Sequence, residues 1–272
     1  MKILEQKEAV EFHGAQGLAG RLVLDDRFKP YVCPLRTPEG HDVTLRMPCD
    51  HRHHKGLMYA LRCADLNFWE EEDGNADCGV ERVVGRRILE DGVELDLHWA
   101  RQDGALATYD EVRTLRCREV PERRSYVWTW TSQRTALRDH QLIQSGWTIA
   151  LPDGRKINYH GLGIRLPWAW SFAGDSFNGT EIDGAASTAA EAAGTTAKEV
   201  AMWGLIDGHW SPPCARVALR QSHGFAWFVL KSDFAYLAAG PTAAGPLDVR
   251  AGQTFAETYE IEVSDITPPT RA

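Results

Sequence analysis

The stretch PCDHRHHKG, residues 48–56, places three histidines within four positions, beside Asp50, Arg52 and Lys55. Imidazole changes charge nearest neutral pH and is the commonest nitrogen ligand of transition metals. The stretch therefore points to acid–base chemistry or to a metal site. A solvated or backbone-satisfied loop is the competing reading. If residues 50–54 are extended, His51 and His53 project to the same side, roughly 7 Å apart along the chain. Such a pair supplies two nitrogen ligands to one ion, with a third from another strand. A set of N and O donors suits Zn, Mn, Co or Ni. His54 then faces the other way, as a base, an orienting group or a packed ring.

Three further stretches carry candidates. NFWEE (67–71) sets Glu70 and Glu71 beside Trp69. Glu70 or Glu71 is a candidate base or third metal ligand, and Trp69 a candidate wall of a binding site. A solvated charge run continuing into Glu72 and Asp73 is the alternative. INYHGLGIRLPW (157–168) holds His160 at an expected strand end, then Gly161 and Gly163, which permit close backbone approach. Arg165 and Trp168 follow as candidate anchors. Upstream, PYVCPLRTPEGHDVTLRMP (30–48) contains four prolines, which suit a rigid extended segment. Arg36 in that segment is a candidate anion or hydroxyl contact, as is Lys55 beside the histidines; a surface ion pair explains Arg36 equally well. His98, Glu111 and His223 are weaker candidates, with a solvent-facing position as the bland expectation for each.

The elements that must position these residues read as strands. GVELDLHWA (92–100) alternates Val93, Leu95 and Leu97 against Glu94, Asp96 and His98. GRLVLDD (20–26), ERRSYVWTWTSQ (122–133) and QLIQSGWTIAL (141–151) are rich in β-branched and aromatic residues. ARVALRQSHGFAWFVLKS (215–232) reads as two strands joined at SHG, and AGQTFAETYEIEVSD (251–265) as a turn and an alternating strand. EDG, PDG and TPEG are turn signals. The Ala-rich run 185–201 is broken at Gly194 and reads as a loop with one short helix. Strands spaced about ten residues apart predict an all-β fold, an antiparallel β-sandwich, formed by residues 1–272 as one domain with a frayed TPPTRA tail.

Composition narrows the function classes. The chain has 272 residues and a formal net charge of −8, and its basic residues are scattered. An acidic chain without a basic stripe is a poor nucleic-acid binder. No apolar run of about 18 residues suggests a membrane span, and MKILEQKEAVEFHG lacks the pattern of a secretory signal. Six cysteines without a CxxC pair suit reduced thiols and a cytoplasmic setting. No nucleotide-binding pattern appears. Ten tryptophans fit cores and also the flat walls of sugar sites.

PYVCPLRTPEGHDVT, DHRHHKGL, NFWEE and GLGIRLP together resemble the bacterial PmoA-like family, across most of the chain and most densely from Pro30 to Glu71. The methane monooxygenase subunit behind that name is an integral membrane protein, an activity this chain's lack of a membrane span argues against. More distantly, AGQTFAETYEIEV and INYHGL are similar to the last strand and the strand-end histidine of the galactose-mutarotase-like supersandwich. The first resemblance implies a partner of sugar dehydrogenases in glycoside breakdown, acting on 3-keto-glycosides. A metal on His51 and His53 would serve as Lewis acid for removal of the C2 proton, with His54, His160 or Glu70 moving protons and elimination following. Substrate contacts then fall to Arg36, Lys55, Arg165, Trp69 and Trp168. A metal-free aldose epimerase using His160, and a non-catalytic carbohydrate-binding protein, are the alternatives.

Overall fold

The computed structural model describes residues 1–71, 75–172 and 177–267, without the side chain of Phe172. Glu72, Asp73 and the tail after Thr267 lie outside the described residues. Two large antiparallel sheets make up the architecture, with two two-stranded ribbons beside them among the described residues. The eight-stranded sheet runs in the spatial order Lys2–Glu5, Ala9–Gly14, Gly17–Val23, Tyr31–Leu35, Leu57–Ala60, Gly161–Arg165, Ala235–Ala239 and Trp227–Lys231. The nine-stranded sheet is built around the long strands Thr254–Ile266, Ser125–Ala136, Tyr109–Val120 and Gly92–Arg101. The expected all-β sandwich is what forms. Helix among the described residues is limited to the four-residue turns Ala169–Phe172 and Ala189–Ala192 and a 3-10 turn at Pro121–Arg123. The short helix expected in the Ala-rich run is real, and a capping box between Thr188 and Glu191 starts it. No described helix is long and apolar enough to cross a membrane.

Period-two patterning decides which sheet faces touch. In Gly92–Arg101, Val93, Leu95 and Leu97 are buried while Asp96 is exposed, as the alternation predicts. The inner faces meet through contacts such as Phe12 against Trp128, with ring centroids 4.8 Å apart. The strands either side of SHG, Cys214–Gln221 and Trp227–Lys231, enter opposite sheets, so this connection crosses the sandwich. The run 141–151 is not one strand. It forms the short pieces His140–Leu142 and Ile149–Ala150, with a loop carrying Ser145 and Trp147 between them.

The inward face of Tyr109–Val120 also carries charge. Glu111 is buried, in contrast to its expected solvent position, and accepts hydrogen bonds from Arg113 (2.8 and 2.9 Å), Ser132 (2.7 Å) and Trp99 (2.8 Å). Arg134 continues the chain to Ser132 and Glu257, and Tyr59 of the other sheet donates to Glu257 at 2.9 Å. Alternation alone does not distinguish an inward glutamate from an outward one, because its other partners, Ser132 and Trp99, come from neighbouring strands. His98 does lie at the surface, paired with Asp110 at 2.7 Å. His223 is half-buried rather than free in solvent, and its ring accepts the Thr258 N–H at 2.8 Å.

Candidate functional site

The histidine stretch is not a strand. His51 N–H donates to Pro48 O (3.1 Å), His54 N–H to His51 O (2.9 Å), and Met47 N–H to His54 O (2.8 Å). These bonds close residues 47–54 into consecutive tight turns, so the same-side geometry expected of an HxH strand is absent. The turns gather the three rings instead. His51 stacks on His54 at 4.7 Å, and His53 meets His54 edge-on at 4.6 Å and His51 at 5.8 Å.

Arg165 anchors this turn to the sheet. It ends the strand Gly161–Arg165, is fully buried, and lies over Phe234 (4.5 Å) and Trp168 (4.8 Å). Its Nη1 donates to His54 Nδ1 at 3.1 Å and its Nη2 to Asp50 at 3.0 Å. Arg165 therefore orients the turn from beneath rather than reaching out to a ligand. Because His54 Nδ1 accepts, the ring proton belongs on Nε2. That atom is buried without a partner, and burial holds the His54 pKa well below its usual value.

Asp50 is the other product of this arrangement. It takes the Arg165 bond and also contacts His51 Nδ1 at 2.6 Å. Burial opposes its ionisation, but the hydrogen bonds from His51 and Arg165 outweigh that and hold its pKa below the ordinary carboxylate range. A carboxylate on Nδ1 fixes the imidazole tautomer and leaves Nε2 as the working nitrogen. The His51 side chain is 30% exposed, so that nitrogen can reach a ligand.

His53 lines a cleft of about 520 Å³ with Arg27, Phe28, Met47, Arg52, Glu70 and Glu71. Burial, reinforced by the positive charge of Lys29, lowers its pKa to about 3, and its Nε2 has no partner among the described residues. Glu70 stands at the same cleft, 23% exposed, held by Asn67 Nδ2 (2.5 Å), Arg62 (3.4 Å) and Ser145 Oγ (3.4 Å). Glu71 is bound inward by Lys29 at 3.1 Å and Lys55 at 2.5 Å. Lys55 is buried and also pairs with Asp26 at 2.7 Å, so its ammonium supports the cleft wall. A larger cavity of about 710 Å³ beside Met1, Asp91 and Arg116 is lined by no histidine.

Trp69 is fully buried and joins the two histidine stretches. It lies 6.2 Å from His53, 6.1 Å from His54 and 5.2 Å from His160. His160 sits where Gly161 adopts φ +110°, a backbone at which a side chain would also strike Ala239 O. Its ring is fully buried and its pKa lowered by burial to about 3, with Nε2 unpartnered. Gly163 lets Tyr236 pack close, and Tyr236 in turn lies 4.8 Å from His54.

Most of the residues singled out by sequence thus converge: His51, His53, His54, Trp69, Glu70, His160 and Arg165, with Trp168 attached through Arg165. Arg36 does not; it bridges Asp42 at the end of Tyr31–Leu35, and no contact among the described residues ties it to the histidines. Missed from the sequence were Asp50 as the partner of His51, and the aromatic rim. Phe234 lies tilted against His51 at 4.5 Å, and Trp147, 40% exposed, lies 6.0 Å from Phe234 and 5.3 Å from Tyr159. The period-two spacing of Phe234 and Tyr236 marks a strand face, but nothing local says that this face meets residue 51.

His51 and His53 lie on one turn with ring centroids 5.8 Å apart, and His53, which lines the cleft, has a buried Nε2 without a partner among the described residues. They belong to no set of three donor atoms within 4.8 Å of one another; among the described residues that condition is met by Glu39, His41 and Asp265.

Among solved structures, the fold is similar to a galactose 1-epimerase from Lactobacillus acidophilus, at 9% identity and a TM-score of 0.42, covering 98% of each chain. A galactose mutarotase related enzyme from the same organism aligns at 6% identity and TM-score 0.39, covering 100% of this chain and 99% of the other. The α-N-acetylgalactosaminidase of Bifidobacterium bifidum aligns at 10% identity and TM-score 0.33, over 98% of this chain and 36% of its own. No curated protein matches the sequence. Residues 5–271 match the family of unknown function DUF6807, and the protein belongs to that family.

Proposed function

We propose that this chain is a carbohydrate-active enzyme that transfers protons at a sugar ring, with a 3-keto-glycoside as substrate. The observation that carries the reading is the Asp50–His51 pair on the turn whose His53 lines the cleft holding Glu70, with an exposed Trp147 beside Phe234, the ring that lies against His51. Trp147 offers a flat face to the C–H side of a pyranose. A carboxylate-oriented imidazole and a second carboxyl group are what acid–base chemistry needs. A ketone at C3 acidifies the C2 proton. One of His51 and Glu70 removes that proton, and the electron pair forms the enolate. Its collapse forms the C1–C2 double bond and breaks the C1–O bond, and the other group delivers a proton to the departing oxygen. Addition of water at C1 would complete net cleavage. The substrate must come from oxidation of a C3 hydroxyl, the work of a sugar dehydrogenase.

A metal-assisted version has its own support, the open Nε2 of His53 beside His51. A divalent ion held by these two nitrogens would polarise the ketone as a Lewis acid; Glu70 then remains as the base. The epimerase reading based on His160 has less support, since that ring is covered by Trp69.

The test is incubation of wild type, Asp50→Asn, His51→Ala and Glu70→Gln with 3-keto-glycosides in D₂O. Deuterium appearing at C2 together with release of the aglycone is the expected result. Asp50→Asn should slow it by roughly 10²–10⁴-fold, the usual worth of a positioned acid–base group. Neither exchange nor release on any keto-glycoside, with sugar binding retained, would replace the enzyme by a binding protein. Elemental analysis of wild type against His51→Ala/His53→Ala separates the metal-free and metal-assisted forms.

A further inference from the structure

Away from the histidine cleft, three donors from distant parts of the chain converge. Glu39 and His41 lie on the turn closed by Gly40 N–H to Thr37 O at 2.9 Å. Asp265 lies near the end of Thr254–Ile266 in the other sheet. One ligand atom from each falls within 4.8 Å of the other two. His41 Nε2 is 3.7 Å from Glu39 Oε2, while Glu39 Oε1 is taken by Arg124. Donors bonded to one tetrahedral ion at about 2.0–2.1 Å stand only slightly closer than this. The ring of His209 sits 5.4 Å from that of His41, edge-on, on an exposed loop that reaches the same place.

An ordinary surface ion pair does not explain Asp265. It is 5% exposed. Its Oδ2 accepts the Glu39 N–H at 2.9 Å, but its Oδ1 is buried with no partner among the described residues. Buried carboxylate oxygens are nearly always satisfied, so an unpartnered Oδ1 within a His–carboxylate group points to a ligand beyond the protein's own donors.

We propose that Glu39, His41 and Asp265 bind a divalent transition-metal ion that staples the 37–41 turn to the last strand of the opposite sheet. Two carboxylates and an imidazole suit Zn²⁺ or Mn²⁺. The turn leads through residues 42–47 directly into the histidine turn, so the ion anchors the segment that carries the cleft.

The probes are Zn²⁺ and Co²⁺ alone, added to the metal-stripped full-length chain. The His51→Ala/His53→Ala variant serves as background, so that any ion at the cleft is not counted. One equivalent per chain should bind, with visible d–d bands for Co²⁺. Zn²⁺ at a hundredfold excess over Kd should raise the unfolding midpoint by roughly 5 °C. His41→Ala or Asp265→Asn in that background should weaken binding by more than the roughly 10–100-fold typical of second-shell losses and abolish the midpoint shift. Circular dichroism checks folding; if His41→Ala misfolds, the near-isosteric Asp265→Asn decides. No Zn²⁺ bound by the background variant, or unchanged affinity in Asp265→Asn, would overturn the proposal. Neither result bears on whether the cleft turns over keto-glycosides.

Discussion

Replacing His160 with Gln should flatten the acid side of the stability curve. The imidazole lies buried between Trp69 and Tyr159, with ring centroids at 5.2 and 5.7 Å. Its Nδ1 is 3.2 Å from the Asn158 amide, and its Nε2 has no partner. Burial lowers its pKa from 6.5 to about 3. As pH falls, the unfolded chain takes up a proton on this residue near 6.5, while the folded chain holds it neutral until about 3. The unfolded state binds more protons throughout that window, so stability falls with pH; the contribution is complete above 6.5 and fully lost below 3. The slope is about 1.4 kcal/mol per pH unit. Between pH 6.5 and 5 this one ring therefore removes roughly 2 kcal/mol, or roughly 4–8 °C for a protein of this size. Urea unfolding of wild type and His160→Gln at pH 7, 6 and 5 measures it. Comparing the pH dependence within each protein cancels the packing cost of the substitution. The wild type should lose roughly 2 kcal/mol more than the variant over this range. Parallel curves would refute the reasoning, because they would mean that the ring titrates alike folded and unfolded. His53 and His54 shift in the same direction, so a slope steeper than one group alone is expected of the wild type.

Other perturbations test other parts of the structure. Trp147→Ala removes a half-exposed platform and should weaken sugar binding by roughly 1 kcal/mol, about fivefold by calorimetry at a temperature well below the unfolding midpoint of the variant. Arg134→Met strands Glu257, which is 3% exposed, with only tyrosine hydroxyls for partners. It should cost about 3–5 kcal/mol in urea unfolding, much of it recovered by adding Glu257→Gln. Gly163→Ala would set a Cβ 2.3 Å from the Tyr236 hydroxyl. It should lower stability by about 1–3 kcal/mol and shift the imidazole NMR signals of His54, which Tyr236 touches.

What the sequence determined by itself follows from local periodicity. The alternation in residues 92–100 settles both a strand and its buried face, because side chains on a pleated backbone alternate whatever the partner strand. Short strands with polar turns then require two large sheets. The crowding of imidazole at 51–54 likewise announces chemistry before any fold is known. The tertiary structure decided the rest, for reasons of distance along the chain. Residues 47–54 close into turns through their own backbone bonds, but where that turn docks is set by Arg165, more than a hundred residues away, whose guanidinium holds both Asp50 and His54. That contact fixes the Asp50–His51 pair against the sheet and makes Arg165 a support. Glu111 is inward because Arg113 sits two residues on and Arg134 stands opposite it on the adjoining strand. Glu39, His41 and Asp265 meet only when the first turn-rich segment and the final strand are folded together. Periodicity tells which way a side chain points within its own element; which charge, ring or open nitrogen it then meets is set by sheet order and register.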